Sequence, residues 1–160
     1  MKIYLAGPDV FRPDALTWAE EAHALIVRHG HYALIPSDNN ETSAEGIFRS
    51  NIEMISEADA VIANLNPFRG CEPDSGTCFE IGCATALGKQ VIAYLADTRP
   101  QLDKLAEFYG GTLARREGRA VDPDGLTIEN FELPVNLMLG ISCQIVQGGL
   151  EDAVLALPVE

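Results

Sequence analysis

Apolar and polar residues recur in two patterns along this chain, one typical of buried strands and one typical of amphipathic helices. Short apolar runs predict five strands, at residues 2–6, 32–35, 60–65, 91–95 and 142–146. Apolar residues at helical spacing predict the intervening helices, at residues 14–29, 44–57, 77–87, 100–108, 135–140 and 150–157. The stretch 110–129 fits neither of these patterns. It is rich in Gly, Arg and Asp, which indicates an excursion or flap.

Residues at the element ends support this division. Gly30 follows the first helix where a terminating glycine would lie, Pro36 ends the second strand, and Ser43 can cap the second helix. Alternation of strands and helices implies a parallel sheet with helices on both faces. We therefore expect one α/β domain over residues 1–160. Its site should lie at the carboxyl ends of the strands, where the loops 7–13, 36–42 and 66–76 converge.

The charge of the chain narrows the choice of partners. The net charge is −13, so phosphate backbones would be repelled and a nucleic-acid partner is not expected. No apolar run reaches the roughly 18 residues of a membrane span, and no membrane partner is expected. The N-terminus lacks the pattern of a signal peptide, which favours a cytoplasmic protein.

The cysteines give no sign of a metal centre. Their spacing matches no zinc pattern and includes no CxxC, so reduced thiols are expected at Cys71, Cys78, Cys83 and Cys143. We expect neither a metal nor a cofactor.

Two carboxylates stand out in the segment that leads from the third strand into the next helix. Glu80 is expected in the first helical turn, where the helix dipole favours its ionised form, and Asp74 lies six residues earlier in the loop. Gly76 leaves room for a ligand beside them. Such a pair can break a glycosidic bond, with one group attacking the anomeric carbon and another managing the proton. Glu80 could equally just stabilise the helix N-terminus, and spacing alone leaves both readings open.

Three blocks of sequence together resemble a known family. They are Ile-Tyr-Leu-Ala-Gly-Pro at residues 3–8, Pro-Phe-Arg-Gly at 67–70 with Asp-Ser-Gly-Thr-Cys-Phe-Glu-Ile-Gly at 74–82, and Pro-Val-Asn-Leu-Met-Leu at 134–139. In order and spacing they resemble the nucleoside 2-deoxyribosyltransferases. The resemblance implies a flavodoxin-like three-layer sandwich with a parallel five-stranded sheet. It also implies transfer of 2-deoxyribose between nucleobases, with deoxynucleosides and free nucleobases as the small-molecule partners.

The resemblance also implies catalytic roles. Glu80 stands at the position of the nucleophile, which would form a covalent deoxyribosyl ester that a second base, or water, resolves. Tyr4 matches a tyrosine that holds this nucleophile. Asp74 matches an aspartate that contacts substrate and takes part in proton transfer.

Further residues are expected to bind substrate. Asn40 matches an amide that touches the base, and Asn51 stands where an aspartate is usual, so it cannot supply an acidic proton. Asn136 and Met138 match residues that a neighbouring subunit contributes, which implies a homo-oligomer of two or more subunits. The loop after the first strand adds Gly7, Asp9 and Phe11. Phe11 could stack on a base or could staple the following helix.

Other functions remain to be weighed. A hydrolase of deoxynucleoside 5'-monophosphates would need a phosphate cradle, but Pro8 lacks an N–H and Asp9 would repel phosphate, so free nucleosides are favoured. Arg69 could hold a 5'-phosphate, but a structural role is favoured, in which it pairs with Glu72 or Asp74 or stabilises the loop through backbone carbonyls.

Two non-enzymatic readings are also possible. A nucleoside-binding module would tolerate loss of the two carboxylates, and their presence favours an enzyme. A flavin-type electron carrier would want a Ser/Thr-rich phosphate loop that this chain lacks. The histidines His23, His29 and His31 are expected at the surface, at the end of the sheet remote from the site.

Overall fold

The computed structural model describes residues 1–158 and contains the expected parallel sheet. Within these residues the strands are β1 (Lys2–Ala6), β2 (Tyr32–Leu34), β3 (Ala60–Asn64), β4 (Gln90–Leu95), β5 (Ala114–Arg116), β6 (Arg119–Val121) and β7 (Gln144–Gln147). The main sheet has the order β2-β1-β3-β4-β7, and all its pairings are parallel. This is the flavodoxin-like order, in which the chain reverses its direction of travel at β1 and β3.

Helices cover both faces of the sheet and complete the three-layer sandwich. They are α1 (Ala15–Arg28), α2 (Ala44–Glu57), α3 (Ser75–Ala86), α4 (Gln101–Phe108), α5 (Leu137–Ser142) and α6 (Leu150–Leu155). No helix among residues 1–158 combines the length and the apolar character needed to cross a membrane.

The alternation of side chains along β1 shows how the two faces are used. Ile3 and Leu5 pack into a core with Ile26 of α1 and Val154 of α6. Tyr4 points to the other face, into a second core beneath α2, α3 and α5. Side chains in a strand alternate between faces, so the position of Tyr4 directs its hydroxyl toward α3.

Most element boundaries agree with the prediction, and two helices differ because of their caps. Helix α3 begins at Ser75 rather than at residue 77, since Asp74 caps it by accepting from the Thr77 N–H. Glu80 therefore lies in the second turn, and its prediction in the first turn was wrong. Helix α5 spans 137–142 instead of 135–140, because the Asn136 side chain caps it. Its extension to Ser142 delays the last strand to Gln144.

The predicted excursion at 110–129 contains a small structure of its own. Strands β5 and β6 pair antiparallel across a two-residue turn at Glu117 and Gly118, which both have positive φ. That conformation suits Gly118 and matches the turn type that short hairpins prefer.

Candidate active site

A cleft of about 470 Å³ opens at the carboxyl ends of β1, β2 and β3. The three loops expected to converge there do so, together with the first half of α2 and the N-terminal part of α3. The lining residues are Gly7, Val10, Phe11, Pro36, Ser37, Asn39, Glu41, Ile47, Asn51, Asp74, Gly76, Thr77 and Glu80. The volume suits a small organic ligand.

A short hydrogen bond joins two of the expected catalytic residues beside the cleft. The hydroxyl of Tyr4 donates to Oε1 of Glu80 at 2.6 Å. Tyr4 is fully buried, and burial together with the nearby Glu80 carboxylate raises the pKa of its hydroxyl above the ordinary range. The hydroxyl therefore keeps its proton and acts as a fixed donor that orients the carboxylate.

Burial dominates the electrostatics of Glu80. It raises the pKa of the carboxyl from 4.5 to about 7, opposed by the hydrogen bond from Tyr4 and reinforced by the charge of Asp74. The expectation that the helix N-terminus would favour the ionised form is thus outweighed by desolvation, which disfavours charge. A carboxylate that is poorly solvated at neutral pH is a more reactive nucleophile than one in bulk water.

Asp74 both caps α3 and lines the cleft. Its Oδ2 accepts from the Thr77 N–H at 2.9 Å and from the Thr77 hydroxyl at 3.1 Å. A Cβ atom added to Gly76 would lie 3.0 Å from the same oxygen, so the glycine permits this tight cap. The cap fixes where the helix starts, and hence where Glu80 points.

Asn51 approaches Glu80 from α2. Its amide donates to Oε1 of Glu80 at 3.5 Å, a long contact. Its Oδ1 is buried and has no hydrogen-bond partner among residues 1–158. An unpaired buried acceptor costs about 1–3 kcal/mol. A donor brought by a ligand would satisfy it, so the position suits ligand binding.

Asp9 supports the cleft without lining it. Its side chain is 10% exposed and accepts from the amide of Asn64 at 2.8 Å, at the end of β3. Gly7 lines the cleft, and a Cβ atom there would lie 2.7 Å from Asp9 Oδ2 and 3.0 Å from Asn64 Cβ. The carboxylate expected to repel a phosphate is therefore already paired behind the loop.

The side chain of Arg69 lies against two aromatic rings. Its guanidinium lies 5.2 Å from the ring centroid of Phe11 and 4.6 Å from that of Phe68. The two rings are themselves stacked, 5.5 Å apart at 19°. Of the structural contacts expected for Arg69, the pairing with Glu72 or Asp74 is not found within residues 1–158, because the cation–π contacts hold the guanidinium at the rings. This trio forms one rim of the cleft through Phe11.

The loop after β2 lines the cleft through the two neighbours of Asn40. Asn40 is exposed and is not among the lining residues, whereas Asn39 and Glu41 are. Asn39 folds the turn by donating to the Pro36 carbonyl at 2.7 Å and accepting from the Glu41 N–H at 2.9 Å. This local bonding is typical of asparagine in turns and is the signal that distinguishes Asn39 from Asn40.

His23 anchors this loop, contrary to the expectation that the histidines lie far from the site. Its Nε2 is 2.9 Å from Asp38 Oδ1, while Asp38 Oδ2 accepts from the Ile35 N–H at 2.8 Å. The contact bridges α1 to the turn that follows β2. Charge spacing alone did not reveal it, because the pair joins residues 15 positions apart through the fold.

Asn136 and Met138 lie away from the cleft of their own chain. The Asn136 amide donates to Glu129 Oε1 at 2.8 Å, and its Oδ1 accepts from the Met138 N–H at 2.9 Å. Neither residue is among those that line the cleft. The Met138 side chain is 72% exposed, and Ile141 on the same short helix is 76% exposed.

Seven lining residues were not named as ligand contacts in the sequence analysis. Four of them belong to the loop after β2, namely Pro36, Ser37, Asn39 and Glu41. Val10 belongs to the turn after β1, Ile47 to the first turn of α2, and Thr77 to the capped start of α3. Ile47 is an apolar residue of α2 that is 40% exposed, so this part of the helix borders the cleft rather than the core. Among residues 1–158, no three histidine, cysteine or carboxylate side chains are grouped so as to hold a metal ion.

Comparison with known proteins adds to this geometry. The model of a family described as nucleoside 2-deoxyribosyltransferase matches residues 3–138. The chain is similar to the solved structure of a 2-desoxiribosyltransferase from Leishmania mexicana, with 46% identity, a TM-score of 0.71 and coverage of 86% of this chain and 84% of that one.

Two further relatives are more distant. An uncharacterized protein of Schizosaccharomyces pombe is 28% identical over 155 residues, which cover 85% of this chain and 74% of the relative. A solved 2-deoxyribosyltransferase from Bacillus psychrosaccharolyticus is 27% identical, with a TM-score of 0.48 and coverage of 59% of this chain and 72% of that one.

Proposed function

Since this chain belongs to the nucleoside 2-deoxyribosyltransferase family, we propose that it moves 2-deoxyribose between nucleobases through an ester on Glu80. The observation that carries the proposal is the 2.6 Å bond from the buried Tyr4 hydroxyl to Glu80 at the cleft. This hydrogen bond fixes Oε1 of Glu80, so the carboxylate holds one orientation toward a bound sugar. Deoxynucleosides and free nucleobases are the proposed ligands, in a cleft of about 470 Å³.

The first step forms the ester. An oxygen of ionised Glu80 attacks C1' of the deoxynucleoside, and the C1'–N bond breaks as the C1'–O bond forms. The electron pair of the broken bond goes to the base nitrogen, which takes up a proton as the base leaves. The Tyr4 hydroxyl keeps donating to Oε1 and holds the carboxylate in line.

The second step regenerates the enzyme. A nitrogen of an incoming base attacks C1' from the face that the first base left, and the ester bond breaks to return the carboxylate. The acceptor base loses its proton to the site, and two inversions give net retention. Water in place of the base would release free deoxyribose, so exclusion of water sets the balance between transfer and hydrolysis.

The leaving base must be protonated, and the groups beside Glu80 limit the choice. Asn51 is an amide and cannot supply the proton. Asp74 lines the cleft, although its Oδ2 is held by Thr77. We assign the proton to Asp74 or to a water beside it, and we assign to Asn51 a hydrogen bond with the base or sugar.

We further propose that a second subunit completes each site with Asn136 and Met138. Helices α2, α3 and α5 contact one another in sequence on one face of the molecule. That face exposes large apolar side chains at Phe48, Phe79, Met138 and Ile141. A surface of this kind is typical of a homo-oligomer interface.

The four cysteines are free thiols, which supports a reducing, cytoplasmic location.

Product analysis by chromatography tests the proposed activity. The protein is mixed with deoxyinosine and free adenine, and the matched control is Glu80→Gln, which keeps shape and removes the nucleophile. Deoxyadenosine together with hypoxanthine is the expected result, with none from the variant. Hypoxanthine with free deoxyribose would identify a hydrolase. No product would contradict the proposal and favour a nucleoside-binding module.

One observation favours a second candidate, hydrolysis of deoxynucleoside 5'-monophosphates. Asp9 is paired with Asn64, and the Arg69 guanidinium at the rim has no ion pair among the described residues. Arginine is well suited to phosphate. The same assay with deoxyinosine 5'-monophosphate, compared between wild type and Arg69→Ala, decides between them. Faster cleavage of the monophosphate that is lost in Arg69→Ala would favour the hydrolase.

A further inference from the structure

A second cleft lies beside the β5–β6 hairpin, and none of its lining residues belongs to the active-site cleft. Its volume is about 410 Å³. The hairpin forms one wall, the segment 127–131 forms another, and Leu102 of α4 adds an apolar contact. A cleft of this size can hold a small organic ligand.

The arginines of the hairpin differ from the other arginines of the chain. Arg12, Arg28, Arg49 and Arg99 each pair with a carboxylate, and Arg69 stacks on two rings. The remaining three form no ion pair within residues 1–158. They are Arg115, Arg116 and Arg119.

This grouping is unexpected for so acidic a chain. Acidic residues outnumber basic ones by 24 to 11, yet three arginines lie within five residues, on either side of Glu117, and none of them forms an ion pair within the described part of the chain. Arg115 donates to the Gly118 carbonyl of its own hairpin, at 2.9 Å. Repulsion between neighbouring guanidinium groups makes such a cluster unfavourable by itself, and an anion that binds there relieves it.

The charged and apolar parts of the cleft lie side by side. Arg115 and Arg119 line it together with Ile128 and with Phe131, whose side chain is 62% exposed. Glu129 also lines it, but both of its carboxylate oxygens are occupied. Oε1 accepts from the Asn136 amide at 2.8 Å, and Oε2 accepts from the Leu137 N–H at 3.0 Å. Neither bond comes from an arginine, and no ion pair joins Glu129 to Arg115 or Arg119 within residues 1–158.

We propose that this second cleft binds a phosphorylated nucleoside. Guanidinium groups bind phosphate with two parallel hydrogen bonds, and Arg115 and Arg119 are available for this contact. An exposed aromatic ring provides a flat apolar surface on which a base can stack, and Phe131 supplies it. The site requires neither Glu80 nor the chemistry of the first cleft.

Calorimetric titration tests this site. Adenosine 5'-monophosphate is titrated into the wild-type protein, into Arg115→Ala/Arg119→Ala and into Arg28→Ala, a surface arginine that pairs with Glu151. We expect binding to the wild type and to Arg28→Ala, with at least about tenfold weaker binding to the double variant. Equal affinity in all three proteins, or no binding to the wild type, would overturn the proposal.

Further titrations distinguish the contribution of the base to binding from that of the phosphate. Phe131→Ala should weaken binding of adenosine 5'-monophosphate and leave that of inorganic phosphate unchanged. Inorganic phosphate binding as tightly as the nucleotide would overturn the assignment of a nucleoside ligand. Arg115→Lys/Arg119→Lys keeps the charge, and circular dichroism checks that each variant is folded. Affinity in the lysine variant should fall between those of the wild type and the alanine variant.

Discussion

The hydroxyl of Tyr4 and the carboxylate of Glu80 lie 2.6 Å apart, although 76 residues separate them along the chain. Tyr4 belongs to β1 and Glu80 to α3, which follows β3. Strands β1 and β3 are neighbours in the sheet, and α3 packs against both. The contact therefore exists only because the sheet order places the third strand beside the first, and it gives the proposed nucleophile a rigid partner.

The pH dependence of the reaction should report the protonation of Glu80. Its pKa of about 7 means that the carboxyl is protonated, and cannot attack C1', in more acidic solution. We expect kcat/KM to rise with pH along an acidic limb with a midpoint near 7. Initial rates between pH 5 and 9 measure it. A midpoint near 4.5, the ordinary value, would show that Glu80 is not desolvated in the working enzyme.

Replacing Tyr4 by Phe should move that midpoint upward. The hydrogen bond from Tyr4 lowers the pKa of Glu80, so its loss favours the protonated form. The rate at pH 7 should fall by about tenfold or more, since an orienting, charge-assisted bond is lost. Tyr94→Phe is the matched control, because Tyr94 is a buried tyrosine in the core on the opposite face of the sheet. If the rate fell equally in the two variants, the loss would come from disturbed packing and not from the missing hydrogen bond to Glu80.

Glu80 should weaken the fold in alkaline solution. Its pKa is raised from 4.5 to about 7, so the folded protein holds a proton that the unfolded chain has already released. Stability from this group is complete below pH 4.5 and is lost as the pH rises to 7. The shift corresponds to about 3 kcal/mol at most. Glu80→Gln should therefore raise the melting temperature at pH 8 and have little effect at pH 4.5, as calorimetry would show.

His23 should influence substrate binding through the loop it anchors. Removal of its contact with Asp38 frees the turn that carries Pro36, Ser37 and Asn39 into the cleft. We expect His23→Ala to raise KM several-fold while kcat changes little, because Glu80 and Tyr4 are untouched. His29→Ala, at the C-cap of the same helix and outside the cleft lining, provides the control. A fall in kcat with KM unchanged would contradict this role.

Sites shared between subunits can be detected by mixing two defective proteins. Glu80→Gln removes the nucleophile, and Asn136→Ser removes the amide but keeps a residue that can cap α5. Each should be nearly inactive alone. A freely exchanging dimer should recover about a quarter of wild-type activity on mixing, because half of the molecules are hybrids with one intact site. No recovery would place Asn136 outside the neighbour's site.

The sheet was predictable because its strands are short apolar runs with clear ends. The strand at Lys2–Ala6 and the helix at Ala44–Glu57 match the prediction to the residue, the latter with Ser43 as its cap. The hairpin at 114–121 was not predicted, since each of its strands has only three residues and is too short to give a periodic signal.

The cleft was predicted in outline but less well in its side chains. Glu80 lies one turn deeper than expected, because a capping aspartate and a catalytic loop aspartate look alike in sequence. Two contacts were not predicted, the hydrogen bond that Asp9 accepts from Asn64 and the packing of Arg69 against two rings. Both contacts depend on partners brought together by the fold, and the local sequence does not encode them.

The two sides of the active-site cleft come from separate parts of the chain. Tyr4 and Glu80 lie on β1 and α3, whereas the opposite wall comes from the turn at 36–41 and the start of α2. Exchange of the turn therefore leaves the Tyr4–Glu80 bond in place. For engineering of the proposed transferase, the segment 36–41 can therefore be varied by itself. Libraries of this segment can be screened for variants that accept new base analogues, while Tyr4 and Glu80 stay unchanged.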